Sequence, residues 1–138
     1  MHFATFHKKT TSDTDIIDIT QDVRAVVASS KAKEGLVTVG VAGSTASITT
    51  IEYESGAVSD LCAAIERLAP RQMAYEHDAR WGDGNGYSHV RAALLGPCVS
   101  IPLRNGALVL GTWQQLVLCD FDNRGRTREV YVHIISGS

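Results

Sequence analysis

The stretch CVSIPLRNGALVLGTWQQLVLCDFD, residues 98–122, decides the fold class. Asn105-Gly106 separates two β-rich runs, and both positions of a two-residue hairpin turn favour positive φ, so the pair marks a hairpin. CVSIPL reads as the first strand. ALVLGTWQQLVLCDFD is long enough for the return strand and a further one, with Gly111 as the expected irregularity. A second turn, NRGR (123–126), leads into TREVYVHIIS (127–136), whose alternation completes an antiparallel sheet.

Upstream, the pattern mixes helices with strands. Residues 2–8 alternate weakly and read as an opening strand. In TQDVRAVVASSK (20–31), Thr20 is a capping residue, Asp22 sits in the first turn, and Val23, Val26 and Val27 share one face, with Gly35 as the stop. LVTVGVA (36–42) is continuous and β-branched, the signature of a buried strand. Gly43 and Ser44 interrupt it before ASITTIEYE (46–54), with Ile48 and Ile51 as core positions. SGAVSDLCAAIERLAP (55–70) is the clearest helix, because Val58, Leu61, Cys62, Ile65 and Leu68 recur three and four apart and Pro70 closes it. SHVRAALLG (88–96) gives a short helix ended by Gly96. The order implies an α+β fold, a single domain over residues 1–138, with a mixed, mainly antiparallel sheet and two to three helices. Few helices are left to cover the C-terminal strands, so that sheet must curl or bury its second face against another subunit.

The 138 residues suit one domain with a core of its own. A net charge of -2 argues against general nucleic-acid binding and against attraction to acidic membranes. No run reaches the ~18 apolar residues of a membrane span. MHFATFHKKTTSDTD lacks the continuous apolar stretch of a secretory signal. Cys62, Cys98 and Cys119 form no CxxC, and each sits among apolar residues, so they read as small buried hydrophobes. Reduced cysteines fit a cytoplasmic location.

The chemistry concentrates in YEHDARWGDGNGYSHVRAALLG (75–96), which holds His77, Asp78, Asp83, Asn85 and His89 in a stretch too polar for the core. His77 and His89 are twelve apart and cannot share one helix face. Gly82, Gly84 and Gly86 allow the chain to fold back between them. Neutral imidazole is a common metal ligand, carboxylates complete such sites, and the start of the following helix offers free N–H groups to a phosphate. The segment therefore suits a metal, an anion, or both. Against this stands the plainer reading of two loop histidines at the surface.

YEHD (75–78), GNGYSHVRAALLG (84–96), IPLRNGALVLGTWQQLVL (101–118) and RTREVYVHI (126–134) together resemble the YjbQ-like family, most clearly from Thr45 to Ile135. Some members of that family show a secondary thiamin-phosphate synthase activity. The resemblance implies a barrel-like sheet, a homotrimer, and a histidine-lined pocket near a subunit boundary. That pocket is expected to hold a divalent metal, zinc or magnesium, and to handle a phosphorylated small molecule. The family's motif histidines fall on His77 and His89, its strand glutamate on Glu52, its GTWQ tryptophan and glutamine on Trp113 and Gln114, and its C-terminal arginines on Arg126 and Arg128. One departure matters. The family commonly reads H-T-[ST]-A where this chain reads Gly43-Ser44-Thr45-Ala46, so a glycine stands in place of a histidine.

From these residues the expected metal ligands are His77 and His89, and the expected catalytic groups are His89 and Glu52. Glu52 would act as general base or hold a histidine in one tautomer; its plain reading is an exposed strand carboxylate. Ser44, Thr45, Gln114, Arg126 and Arg128 are the expected ligand contacts, because hydroxyls donate and arginine forks match phosphate oxygens. Trp113 reads as packing in a core or interface. In the implied transfer, a pyrimidine pyrophosphate loses pyrophosphate and a thiazole phosphate nitrogen attacks the carbon left behind. The alternative is a non-catalytic trimeric protein that binds a small molecule or metal, which the Gly43 departure favours.

Overall fold

Asn105 and Gly106 form the expected turn, with φ of 52° and 78°, in a computed structural model that describes residues 1–12 and 14–137. The turn joins β5 (Cys98–Arg104) to β6 (Ala107–Leu108), and the chain then breaks around Gly111 before β7 (Gln115–Asp120) and β8 (Thr127–Ser136). Upstream lie β1 (His2–Lys9), β2 (Asp15–Asp18), α1 (Thr20–Ser30), β3 (Gly35–Val41), β4 (Ala46–Ile51), α2 (Ser55–Leu68), α3 (Glu76–Trp81) and α4 (Gly86–Leu95).

The strands form two sheets, β1-β8-β3-β5-β6 and β2-β7-β4, curled into a half-barrel. Every described pairing is antiparallel, so the sheets are not mixed. β7 explains the layering. It is buried on both faces, and its side chains alternate. Leu116 and Leu118 enter a core with Val130, Val132 and Ile134 of β8, Val37 and Val39 of β3, and Val23 and Val27 of α1. Val117 and Cys119 face the other way, into a core with Ile65 of α2 and Ala92 of α4. The outer face of the five-stranded sheet is left open, with Phe3, Leu36 and Ile135 exposed.

Two elements escape the sequence reading. β2, DIID, carries acids at both ends and shows no long alternation, yet it pairs with β7 from Asp15 to Asp18. α3 is a six-residue helix inside the polar bend, which makes four helices where two to three were expected. α1 ends at Lys31, in the left-handed conformation at φ 60°, before Gly35 is reached. β4 stops at Ile51 because Glu54 turns away to cap α2, its carboxylate accepting the N–H groups of Gly56 and Ala57. Those bonds hold the Glu54 carboxyl below its ordinary pKa.

Two burial expectations are corrected, and a third is narrowed. Leu68 is exposed, and Trp113 is exposed too, outside the core of this chain. Cys98 is exposed as well, since it points from the open face of β5. Cys119 is buried as expected, and burial pushes its thiol up to about 12.

Candidate functional site

The bend is built by close approach. Gly82 (φ 67°) caps α3 and donates its N–H to the Asp78 carbonyl at 2.8 Å. After Gly84, also left-handed at φ 67°, the chain returns so closely that a Cβ on Gly86 would stand 2.6 Å from Cβ of Tyr75. That space admits only glycine. The Gly86 N–H donates to Asp78 Oδ1 at 2.8 Å.

α4 is then fixed from beneath. Ser88 Oγ lies 2.5 Å from both Asn85 Oδ1 and the Phe121 carbonyl. Asn123 donates its backbone N–H to Asn85 Oδ1 and its Nδ2 to the Asp83 carbonyl, at 3.1 and 2.8 Å. Ser47 Oγ of β4 donates to the Ala92 carbonyl at 2.8 Å. The buried Arg91 donates from Nε to the Ala69 carbonyl at 2.9 Å and lies over the Tyr87 ring at 4.9 Å.

The outcome is a histidine pair on a rigid support. The rings of His77 and His89 are 4.5 Å apart, centroid to centroid, tilted by 43°. His77 Nδ1 lies 3.3 Å from Asp83 Oδ1 and 3.6 Å from Asp78 Oδ1. It is shielded from water and makes no hydrogen bond. One donor atom each from His77, Asp78 and Asp83 falls within 4.8 Å of the other two. Ligands about 2.1–2.4 Å from a common cation have such spacings, and one imidazole nitrogen with two carboxylate oxygens suits a hard or borderline divalent ion. The donor set therefore fits a metal. It differs from the expected pair, because two aspartates join His77 while the tilted His89 ring lies beside the set.

Next to His89 opens a cleft of about 280 Å³, lined by Gly43, Ser44, Ala46, Ala92, Ala93 and Pro97 among others. Gly43 has φ 121°, and a Cβ there would stand 3.0 Å from Arg128 Nη1. That φ lies where side chains with a Cβ are strained, so a histidine at position 43 disfavours this backbone conformation.

The remaining expected contacts belong to a different structure. Arg128 faces inward from β8 and meets Asp120 of β7, Nε to Oδ2 at 2.7 Å and Nη2 to Oδ1 at 2.8 Å. Its Nη2 also donates to Thr45 Oγ1 at 2.7 Å, and Thr45 donates onward to Asp122 Oδ2 at 2.9 Å. Thr10 donates to Asp120 Oδ2 at 2.6 Å. Arg126 Nη2 pairs with Asp122 Oδ2 at 3.1 Å, leaving its buried Nε unpartnered. The Asp120 hydrogen bonds raise the Arg128 pKa further, against burial. Burial opposes the charge of Asp122, yet hydrogen bonds from Thr45, Asn85 and the Arg124 N–H, with Arg126 nearby, hold its carboxyl below the ordinary value. Arg128 Nε and Nη2 and the Thr45 hydroxyl, expected to contact a phosphate, are engaged with Asp120, Asp122 and each other at the end of the inter-sheet core.

Glu52 is also elsewhere. Ala46 touches the His89 cleft, whereas Glu52 lines a depression past the other end of β4, about 20 Å away at about 3.3 Å per residue. Gln114 belongs to that end, its Nε2 donating to Thr50 Oγ1 at 3.2 Å and its Oε1 accepting the Gly111 N–H at 3.0 Å. Within one chain, Glu52 and Gln114 do not join His77 and His89. Conversely, Asp78 and Asp83 belong to the cluster without having been assigned as ligands; their signal was the EHD and GDG lettering around the glycines.

The family described as UPF0047 protein YjbQ-like matches residues 4–137. A UPF0047 protein of Archaeoglobus fulgidus is 39% identical over 124 residues, covering 90% of this chain and 94% of its own. The UPF0047 protein YugU of Bacillus subtilis is 31% identical over 133 residues, covering 95% and 97%. Among solved structures, a YbjQ-like protein of unknown function from Sulfolobus solfataricus superposes with a TM-score of 0.93 at 31% identity, covering 99% of this chain and 97% of its own. A yjbq/upf0047 family protein of Clostridium acetobutylicum gives 0.87 at 32% identity, covering 96% and 99%.

Proposed function

The chain belongs to the YjbQ-like UPF0047 family, and we propose that it binds a phosphorylated small molecule at the bend with the help of a divalent cation. The observation that carries this reading is His77 Nδ1, shielded from water and without a hydrogen bond, facing the Asp83 and Asp78 carboxylate oxygens at 3.3 and 3.6 Å. A buried polar atom without a partner is costly in a fold that has satisfied its neighbours, and metal coordination is one use for it. His77, Asp78 and Asp83 hold the cation. His89 and Ser44 line the adjoining cleft, where the phosphorylated ligand sits. When bound, a divalent cation neutralises charge developing on phosphate oxygens.

The reaction we attach to this site is a thiamin-phosphate-synthase-like transfer, in which His89 orients or protonates the departing pyrophosphate. Glu52 takes no part in it unless a neighbouring subunit brings it in. We also propose a homotrimer, with the open face of the five-stranded sheet covered by another copy; the exposure of Phe3, Leu36 and Ile135 supports it.

Equilibrium dialysis against Zn²⁺ or Mg²⁺ tests the metal centre. The expected result is about one ion per chain, with at least tenfold weaker retention in His77→Ala and Asp83→Asn. Equal retention in both variants removes the centre. Product formation from the two phosphorylated precursors tests the transfer, and activity unchanged in His89→Ala rules it out at this site. Light scattering at three times the chain mass, reduced by Ile135→Asp, is the expected signature of the trimer.

A further inference from the structure

The depression past the far end of β4 has a character of its own. It encloses about 470 Å³, lined by Asp18, Arg24, Glu52, Tyr53, Glu54 and Trp113 among others, a size within the roughly 300–1,000 Å³ of small-molecule sites. Trp113 is 75% exposed and Tyr53 44%, yet neither lies on loose chain. The Gln114 N–H donates to the Gly111 carbonyl at 3.1 Å. Gln114 also ties Gly111 to Thr50 through its amide, and Gln115 Nε2 donates to the Thr112 carbonyl at 3.3 Å. Tyr53 donates its N–H to Gln115 Oε1 at 2.7 Å and its hydroxyl to the Ile16 carbonyl at 2.9 Å. These hydrogen bonds fix the chain on both sides of Trp113 while its ring stays exposed.

The charges sort into committed and uncommitted ones. Asp18 Oδ1 accepts the Thr20 N–H and hydroxyl at the start of α1. Glu54 is committed to the start of α2. The two helix ends opening here therefore already hold their anions. Among the described residues, the Glu52 carboxylate has no hydrogen bond or ion pair in this network, and Arg24 is the single cation lining the depression. With Asp18 and Glu54 committed, Glu52 is the carboxylate open to a guest, and the exposed indole face of Trp113 beside it is the best aromatic partner for a cation.

We propose that this depression binds a small organic monocation, a quaternary ammonium or an N-alkylated heterocycle, seated on Trp113 and paired with Glu52. A cation gains the Glu52 carboxylate as a partner, which a neutral guest does not, and an anion meets the carboxylates. The site needs nothing from His77 or His89, so it stands apart from the function proposed for the bend.

The chain has two tryptophans, so Trp81→Phe leaves Trp113 as the sole indole reporter. Choline, titrated into this variant, is expected to change Trp113 emission saturably. Its uncharged isostere 3,3-dimethylbutan-1-ol is expected to bind at least tenfold more weakly, and Glu52→Gln to weaken choline at least tenfold. Adding His77→Ala is expected to change neither. No saturable change, equal binding of the isostere, or undiminished binding in Glu52→Gln would overturn the proposal.

Discussion

Two polar regions lie side by side in this molecule, and they are finished to different degrees. In the Asp120–Arg128 network, both carboxylate oxygens meet donors, and Thr45 both donates and accepts. A few residues away, His77 Nδ1 is shielded from water beside two carboxylates and makes no hydrogen bond. Both regions are charged, and both drew attention as ligand sites from sequence. The difference teaches that charge alone does not mark a site here. What marks the bend is the kind of atom left without a hydrogen bond: Arg126 Nε in the network can only donate, whereas His77 Nδ1 can ligate a cation together with the carboxylates beside it. The network closes the core; in the bend, Asp78 and Asp83 each accept a backbone N–H, from Gly86 and Asn85, and still present carboxylate oxygens to His77 Nδ1.

The strongest way to break this contrast is Asp120→Ala. It strands Arg128 as a buried charge and is expected to cost about 3–5 kcal/mol in urea unfolding. Thr45→Val removes one link and leaves two charged partners short, an expected loss of about 1–3 kcal/mol. His77→Ala and Asp83→Asn, by contrast, are expected to shift stability by no more than about 0.5 kcal/mol without metal. A loss at His77 as large as that at Asp120 would erase the distinction between scaffold and site.

The pH dependence sharpens the same contrast. The folded Asp122 carboxyl sits below its ordinary value, about 3.9 in an unfolded chain. As pH falls, the unfolded chain takes up this proton first. The stabilisation is therefore full above that range and is lost as pH drops through the folded pKa. Asp122→Asn is expected to flatten the acid side of a plot of thermal midpoint against pH. A slope unchanged in that variant would mean that other carboxylates carry the acid response.

Much of the fold was legible because its signals are local. Asn105-Gly106 allowed one turn type, and the three-four spacing in 55–70 allowed one helix face. β2 was not legible, since its four residues acquire strand character only by pairing with β7. Leu68 obeys the helical spacing yet is exposed, because α2 ends where the second core does. In the site, the lettering showed that His77 and His89 could approach each other across a glycine-rich bend. It could not show that Arg128 spends its fork on Asp120, or that Glu52 lies beyond the far end of β4. Both depend on strands distant in sequence being stacked in two sheets.

The most direct test of the bend's donor set is a Mn²⁺ titration followed by nuclear magnetic resonance on the full chain. Substoichiometric Mn²⁺ is expected to broaden the signals of His77, Asp78, Asp83 and His89 first, while those of Arg128 and the Trp113 indole stay sharp. Broadening that begins at Glu52 and Trp113, or spreads evenly over the surface acids, would contradict the assignment of the metal centre to the bend.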